Sequence, residues 1–311
     1  MQRIEDLQAP PGRRTAVTIG VFDGLHLGHQ GVLLELVARA REERLLPLVL
    51  TFSTHPDRLV SHRAPAPLIT TEHRLRLMAR LGLEAAIVLP FDHTLREMGA
   101  AAFAREVLRA RLDAGLLVMG YDSALGRDRE GDFPTMERLG REEGFRTLSS
   151  PPLLWQGRPI SSSHIRQALR EGDLALVWGL LGRPFSLLGK VIRGRGEGRR
   201  LGFPTANLDP GECLMPPAGV YAASARVGGD HLPAVLNLGR SPTFGGRRLL
   251  VETHLLDYGG DPLHGREMEV FFHRAIRSER RFSSAGELAR QIARDVQSCR
   301  EILGDSPLSD Y

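Results

Sequence analysis

The chain predicts an α/β fold followed by a β fold: a doubly wound parallel sheet over residues 1–182, then a small β-barrel with a terminal helix over residues 183–311. Three observations carry this. From residue 15 to about 182, short apolar runs alternate with stretches of helical periodicity, the βαβα rhythm of a parallel sheet covered by helices. After Asp173-Leu174 the texture changes to glycine-rich turns between short alternating runs, which suits a small barrel. The length of 311 residues leaves room for two domains of roughly 150 residues each.

In the first half, residues 15–21, 46–52, 85–89 and 116–119 read as strands, and 28–44, 72–81 and 100–112 as helices. The first helix gathers Val32, Leu33, Leu36 and Val37 on one face. Residues 180–184, Leu-Leu-Gly-Arg-Pro, look like a linker. Beyond it, 185–192, 219–227, 234–238, 249–255 and 267–272 read as barrel strands. Residues 284–302 close the chain as an amphipathic helix with Leu288, Ile292, Val296 and Cys299 on its apolar face.

Composition narrows the classes. Hydrophobic content of 42% and charged content of 25% are those of a globular protein. No run approaches the roughly 20 apolar residues of a membrane helix. The first residues have mixed charge and no apolar core, unlike a signal peptide. Two cysteines, Cys213 and Cys299, lack metal-ligand spacing, so a reduced, cytoplasmic setting is expected. The formal charge is +4, and Lys190 is the sole lysine. No Gly-Lys-Ser/Thr occurs, which excludes a Walker-type phosphate loop. Arginine carries nearly all the positive charge, a codon preference or a means of gripping phosphates.

The first strand runs into Phe22-Asp23-Gly24-Leu25-His26-Leu27-Gly28-His29 and then a helix. A helix start offers free N–H groups and a positive dipole end. Imidazoles placed there can donate to phosphate oxygens as charge builds in a phosphoryl transition state. Gly24 and Gly28 permit a tight turn and a close backbone approach. A bare His-x-x-His describes surface histidines or a partial metal site equally well; the strand–turn–helix setting favours phosphate chemistry. Farther on, Ser161-Ser162-Ser163-His164-Ile165-Arg166 opens another helix. Its hydroxyls and N–H groups suit an anion, with Arg166 one turn in, although alone it reads as a serine cap.

In the second half, Gly196-Glu197-Gly198-Arg199-Arg200-Leu201-Gly202-Phe203-Pro204-Thr205-Ala206-Asn207 suits a phosphate flap edged by oxygen ligands. Mg²⁺ prefers oxygen, and Thr205 and Asn207 supply it. Downstream, alternation turns Glu252, His254 and Leu256 to one face of a strand. A carboxylate there can take a hydroxyl proton during γ-phosphoryl transfer. Taken singly, Glu252 reads as a solvated strand residue and the glycine run as a flexible turn.

Together these strings resemble the Rossmann-like HxGH nucleotidyltransferase superfamily related to class I aminoacyl-tRNA synthetases. More narrowly, they resemble the bacterial bifunctional riboflavin kinase/FAD synthetase family over nearly the full length. The narrower likeness includes Thr51-Phe52-Ser53-Thr54-His55-Pro56, Gly120-Tyr121-Asp122, Gly126, Gly131-Asp132 and Ser-Ser-Ser-His-Ile-Arg. In the second half it includes GRxLGFPTAN (with Arg200 and Leu201), Gly219-Val220-Tyr221, Asn237-Leu238-Gly239 and Pro242-Thr243. It ends with ExHLLD from Glu252 and Arg277-Ser278-Glu279-Arg280-Arg281-Phe282.

The resemblance implies that a first domain, residues 1–182, is an FMN adenylyltransferase. His26 and His29 would act at the α-phosphate of ATP, while Ser162, Ser163 and Arg166 hold the leaving pyrophosphate. Gly20, Phe22, Asp23, Gly24 and Asp122 would complete the nucleotide contacts. It implies that residues 183–311 form a riboflavin kinase, with Glu252 as general base for the riboflavin 5′-hydroxyl. Gly196, Gly198, Arg199 and Gly202 would bind phosphates, Thr205 and Asn207 Mg²⁺, and Asn237, Arg277 and Glu279 the flavin. ATP, riboflavin and FMN are then the partners, with no nucleic acid or membrane, in a monomer or weak homo-oligomer.

Two departures stand out. Ser123 and Leu125 replace the aromatics of the usual Asp-Phe-x-Phe-Gly, and Ser53-Thr54-His55-Pro56 replaces Glu/Asp-Pro-His-Pro. Other readings are a nucleotidyltransferase for another phosphorylated acceptor and a flavin- or RNA-binding regulator. Product assays and turnover separate them.

Overall fold

Residues 46–52 read Leu-Pro-Leu-Val-Leu-Thr-Phe, and all seven side chains are buried. A strand with no wet face belongs in the middle of a parallel sheet. The computed structural model describes residues 1–9, 12–54, 64–194, 196–240 and 249–304. Its contacts divide into two compact units, Met1–Ala66 with Thr71–Ser161, and Pro67–Thr70 with Ser162–Tyr311. Each unit has its own sheet and its own core.

In the first unit, β1 (Gln2–Ile4), β2 (Thr15–Ile19), β3 (Leu46–Phe52), β4 (Ala85–Leu89), β5 (Ala114–Gly120) and β6 (Arg146–Ser150) form one sheet in the order β1-β4-β3-β2-β5-β6. All pairings are parallel. The chain works outward from β2 to β4 on one side, then from β5 to β6 on the other. The carboxyl ends of β2 and β5 therefore flank the topological switch point, where ligands bind in such sheets. Helices α1 (Leu27–Glu42) and α2 (Thr71–Arg80) fit the predicted spans within two residues. A short α3 (His93–Glu97) follows β4. The predicted helix 100–112 is present in two parts, α4 (Ala100–Ala102) and a π-helical stretch Phe103–Arg111. That stretch buries Phe103, Ala104, Val107 and Leu108 against Leu48, Leu50, Ile87 and Leu117. Helix α5 (Phe133–Glu143) starts at Asp132, whose Oδ1 accepts from Thr135 N at 3.0 Å, and stops at Gly144 with φ 82°.

The second unit opens with α6 (Ser162–Glu171) and α7 (Leu174–Leu181). Residues 180–184 are therefore not a free linker, and the sequence reading needs correcting there. Leu180 and Leu181 complete α7 and are buried, and the helix stops at Gly182 with φ 71°. An apolar pair before Gly-x-Pro reads as a linker only when the capping Asp173 is overlooked; its Oδ1 accepts from Leu176 N at 2.9 Å.

After the small antiparallel pair β7 (Leu154–Trp155) and β8 (Arg158–Pro159), strands β9 (Phe185–Lys190), β10 (Ala206–Leu208), β11 (Gly219–Val227), β12 (Asp230–Arg240), β13 (Leu249–Leu255) and β14 (Glu267–Arg277) pair antiparallel in the order β10-β13-β12-β11-β14-β9. The sheet curls into a half-barrel, and a bridge between Ile192 and Asn207 links its two ends. Between β9 and β10 lies the single turn α8 (Glu197–Arg200). The last helix, α9 (Ala285–Leu303), starts where Ser284 Oγ accepts from Glu287 N at 3.2 Å. Its predicted apolar face is corrected in one respect. The fully buried side chains are Gln291, Asp295 and Cys299, four residues apart, while Leu288, Ile292 and Val296 are half-buried beside them. Among the described residues, no helix is long and apolar enough to cross a membrane.

Candidate active sites

At the carboxyl end of β2 the backbone turns sharply. Gly20 N still bonds Leu50 O at 3.1 Å, but Phe22, Gly24 and Leu25 have φ of 52°, 76° and 44°. Left-handed Phe and Leu each cost about 1–2 kcal/mol, which burial of both side chains offsets. The turn buries Asp23 and delivers His26 to the N-cap of α1.

His26 Nδ1 accepts from His29 N at 3.2 Å. Accepting there fixes the neutral ring with its proton on Nε2. The two imidazoles stack at 3.6 Å between centroids and 18° between planes. A Cβ on Gly28 would press the His26 ring at 3.2 Å, so only glycine leaves the stack undisturbed. Phe22 meets His29 edge-on at 5.3 Å. His29 Nδ1 is buried without a hydrogen-bond partner among the described residues. Burial, then His26, then Arg74 hold the His29 pKa well below its ordinary value, so the ring is neutral at pH 7.

Arg74 reaches this site from the buried face of α2, which packs on the turn Asp23–Leu25. Its Nη2 donates to Phe52 O at 2.6 Å, at the end of β3. Burial lowers its pKa to about 10, with Asp23 opposing the shift, so it remains a cation. Asp122 follows β5; its side chain is exposed and its carbonyl accepts from Arg129 Nη2 at 2.7 Å. Leu125 exchanges backbone bonds with Gly131 at 2.9 and 2.8 Å and packs on the core. Ser162, Ser163 and Arg166 lie in the first turns of α6, with Arg166 buried, and this helix groups with the second unit. His55 and Pro56 lie outside the described residues.

In the half-barrel, strand register assembles a second site. Asn207 on β10 stands opposite Glu252 on β13, Glu252 opposite Asn237 on β12, Asn237 opposite Val220 on β11, and Val220 opposite Arg277 on β14. Directly paired residues share a face of the sheet, and all five line one cavity of about 310 Å³. Gly196, Gly198 and Thr205 form part of its wall, with Glu279, Arg280 and Phe282 on another side and Leu288, Ile292 and Asp295 from α9. Arg199 and Gly202 are exposed and do not line it.

Gly196 and Gly202 take φ of 71° and 88° around α8, and a Cβ on Gly198 would collide with Phe203 O. His254 Nδ1 bonds Pro204 O at 2.8 Å and its ring meets Phe203 edge-on, pinning this loop to β13. Leu256 lies one residue past the strand, in the apolar cluster with Val220, Val235 and Cys299. Asn207 is buried, and its Oδ1 has no partner among the described residues. Arg277 is paired with Asp295 at 2.8 Å. Pro242 and Thr243 lie outside the described residues.

A family model described as FAD synthetase matches residues 9–164, and one described as riboflavin kinase matches residues 181–303. The bifunctional riboflavin kinase/FMN adenylyltransferase of Escherichia coli K12 is 38% identical over 303 residues, 97% of this chain and 96% of that protein. The chain belongs to the bifunctional riboflavin kinase/FMN adenylyltransferase family. Members from Haemophilus influenzae and Bacillus subtilis are 36% and 34% identical, covering 92% and 91% of this chain and 93% and 91% of theirs. A crystal structure of a macrolide-efflux protein from Streptococcus pneumoniae superposes with TM-score 0.82 at 26% identity, over 96% of this chain and 98% of that one.

Within this bifunctional family framework, sequence reasoning missed Arg74, Gln291 and Asp295. Arg74 left one signal, a cation beside Leu75, Leu77 and Met78 on the inward face of α2. Gln291 and Asp295 left none of their own, because their burial depends on Arg277 and Arg280, which are distant in sequence.

Proposed function

We propose that the chain makes flavin cofactors in two steps. The half-barrel transfers the γ-phosphoryl group of ATP to the riboflavin 5′-hydroxyl, giving FMN and ADP. The parallel-sheet unit then joins the AMP portion of ATP to FMN, giving FAD and releasing pyrophosphate. The observation that carries the reading is the Asn207–Glu252–Asn237 row inside the cavity. It sets a carboxylate between two amides at a place where a hydroxyl can be deprotonated as its oxygen attacks phosphorus. Asn237, Arg277 and Glu279 contact the flavin, and Gly196 and Gly198 the ATP phosphates, with Arg199 and Gly202 on the exposed side of the same loop.

Thr205 and Asn207 suit Mg²⁺: both offer oxygen, both line the cavity, and Asn207 Oδ1 is otherwise unpaired among the described residues. The ion, when bound, neutralises phosphate charge.

In the first unit, FMN phosphate attacks the α-phosphorus of ATP and the bond to the bridging oxygen breaks. His26, carrying its proton on Nε2, donates to the α-phosphate oxygens, and the neutral His29 stacked on it stands beside it. Gly20, Phe22, Asp23, Gly24 and Asp122 surround the nucleotide, and Ser162, Ser163 and Arg166 at the start of α6 hold the pyrophosphate. We place the functional domains at residues 1–182 and 183–311; the family matches run over 9–164 and 181–303. With only two cysteines in the chain and no metal-ligand spacing between them, we read a cytoplasmic enzyme, a monomer or weak homo-oligomer with small-molecule partners only.

Incubation with riboflavin, ATP and Mg²⁺, followed by chromatography, tests this. FMN should form first and FAD second, and His26→Ala with His29→Ala should stop the sequence at FMN. Riboflavin left unchanged, oxidised or reduced, defeats the reading.

A further inference from the structure

Asp295 is a buried acid for which the proposed chemistry has no use. Its side chain is 3% exposed and lies on α9 in the wall of the kinase cavity. Arg277 Nε donates to both of its oxygens at 3.0 and 3.1 Å, and Arg277 Nη2 donates to Oδ2 at 2.8 Å. Gln291 Nε2 donates to Oδ1 at 2.8 Å, while Gln291 Oε1 accepts from Arg280 Nη2 at 2.8 Å. One carboxylate thus secures two arginines, one directly and one through an amide.

Those arginines belong to the segment 277–282, which lines the cavity with Glu279 and Phe282. Both guanidiniums lie over the Phe282 ring, Arg277 at 5.7 Å and Arg280 at 4.6 Å from its centroid. Between them Glu279 packs on Gly239 of β12, leaving no room there for a Cβ. The segment is tied at three points, two of them through α9. Arg277 also ends the row that contains Asn237 and Glu252.

We propose that Asp295 is a positioning residue for the flavin substrate of the kinase reaction. It presets segment 277–282, so that Phe282 and Glu279 meet a planar flavin without first having to be ordered. Resting on the kinase reading above, it assigns the substrate selectivity of that site to a side chain that touches no reacting atom. A charge-assisted, bidentate anchor suits this task, because a segment held ready spares the substrate the cost of ordering it. A carboxylate that merely fastened α9 would affect both substrates alike.

The test is steady-state kinetics on the full chain with Asp295→Asn, Arg277→Met and the double variant, measuring KM for riboflavin and for ATP separately. FMN adenylylation by the same polypeptide serves as an internal control. Asp295→Asn should raise the riboflavin KM about tenfold, move the ATP KM less than about twofold and leave adenylylation of supplied FMN unchanged. Asp295→Glu should recover part of the loss. In the Arg277→Met background Asp295→Asn should add little, because both substitutions cut the same link.

Equal changes in the two KM values, an unchanged riboflavin KM, or additive effects would overturn the proposal. Should Asp295→Asn unfold the barrel, Gln291→Met carries the test, since it cuts only the Arg280 arm. It too should raise the riboflavin KM alone, and an unmoved value overturns the idea. Wild-type chain that phosphorylates no riboflavin defeats the kinase reading itself, a result distinct from any of these.

Discussion

Asn207 and Glu252 stand directly opposite each other on neighbouring antiparallel strands, and Asn237 faces Glu252 from its other side. With Glu252 as base, Glu252→Gln keeps the shape of this row and removes its proton acceptor. FMN formation should fall by about 10²–10⁴-fold, while adenylylation of supplied FMN continues at the wild-type rate. Separate assays of the two half-reactions check this, and a kinase rate within a few-fold of wild type would remove Glu252 from the chemistry.

Asn207 contributes the buried oxygen of the pair. Asn207→Leu fills similar space without it, so the Mg²⁺ concentration for half-maximal kinase rate should rise about tenfold, the worth of one lost contact to a charge. Titrating Mg²⁺ at saturating ATP measures the shift. An unchanged midpoint would place the ion elsewhere.

His26 has two tasks that substitution can separate. His26→Ala removes both the N-cap acceptor and the Nε2 donor, and should cost about 1 kcal/mol of stability as well as FAD formation. His26→Asn restores an acceptor for His29 N and should recover the stability without the activity. Melting curves and FAD assays on the two variants decide it; equal melting temperatures would mean the cap contributes nothing.

A third histidine predicts how stability follows pH. His273 Nε2 and His231 Nε2 both lie 2.9 Å from Ser224 Oγ, and burial, then His231, lower the His273 pKa from 6.5 to about 4. The folded state resists protonation, so this contribution is complete above pH 6.5 and is lost as pH falls toward 4. It amounts to something on the order of 3 kcal/mol. His273→Gln should flatten the loss of barrel stability over that window, as followed by denaturant unfolding. A slope identical to wild type would count against it.

The sequence made strands β3, β4, β11 and β13 legible to the residue, because each is an uninterrupted apolar or alternating run between turn residues. Edge strands β1 and β6 leave no such signal, since Gln2–Ile4 and Arg146–Ser150 carry neither pattern. The ends of β12 and β14 were read short because pairing with two neighbours extends a strand past its apolar stretch. The two sites were visible as strings, with His26, His29, Asn207 and Glu252 all named. Their arrangement is not, because Arg74 enters the first site and Asp295 the second through pairings between segments far apart in the chain. Leu180 and Leu181 show the reverse case: an apolar pair before Gly-x-Pro resembles a connector, and only the cap at Asp173 marks it as the end of a helix.

Along β13, Val251, Thr253 and Leu255 point into the barrel while Glu252 and His254 point out of it toward the cavity. Sliding this strand by one position would exchange the two sets completely. The carboxylate would enter the hydrocarbon interior, and the cavity would receive a valine or a threonine in its place. What holds Glu252 at its post is thus the preference of Val251 and Leu255, on either side of the buried Thr253, for dry surroundings. Substitutions at those three inward positions that leave the fold standing but loosen its alignment should silence phosphorylation without touching any atom that meets a substrate. In this half of the molecule, the interior serves as the jig that sets the tool.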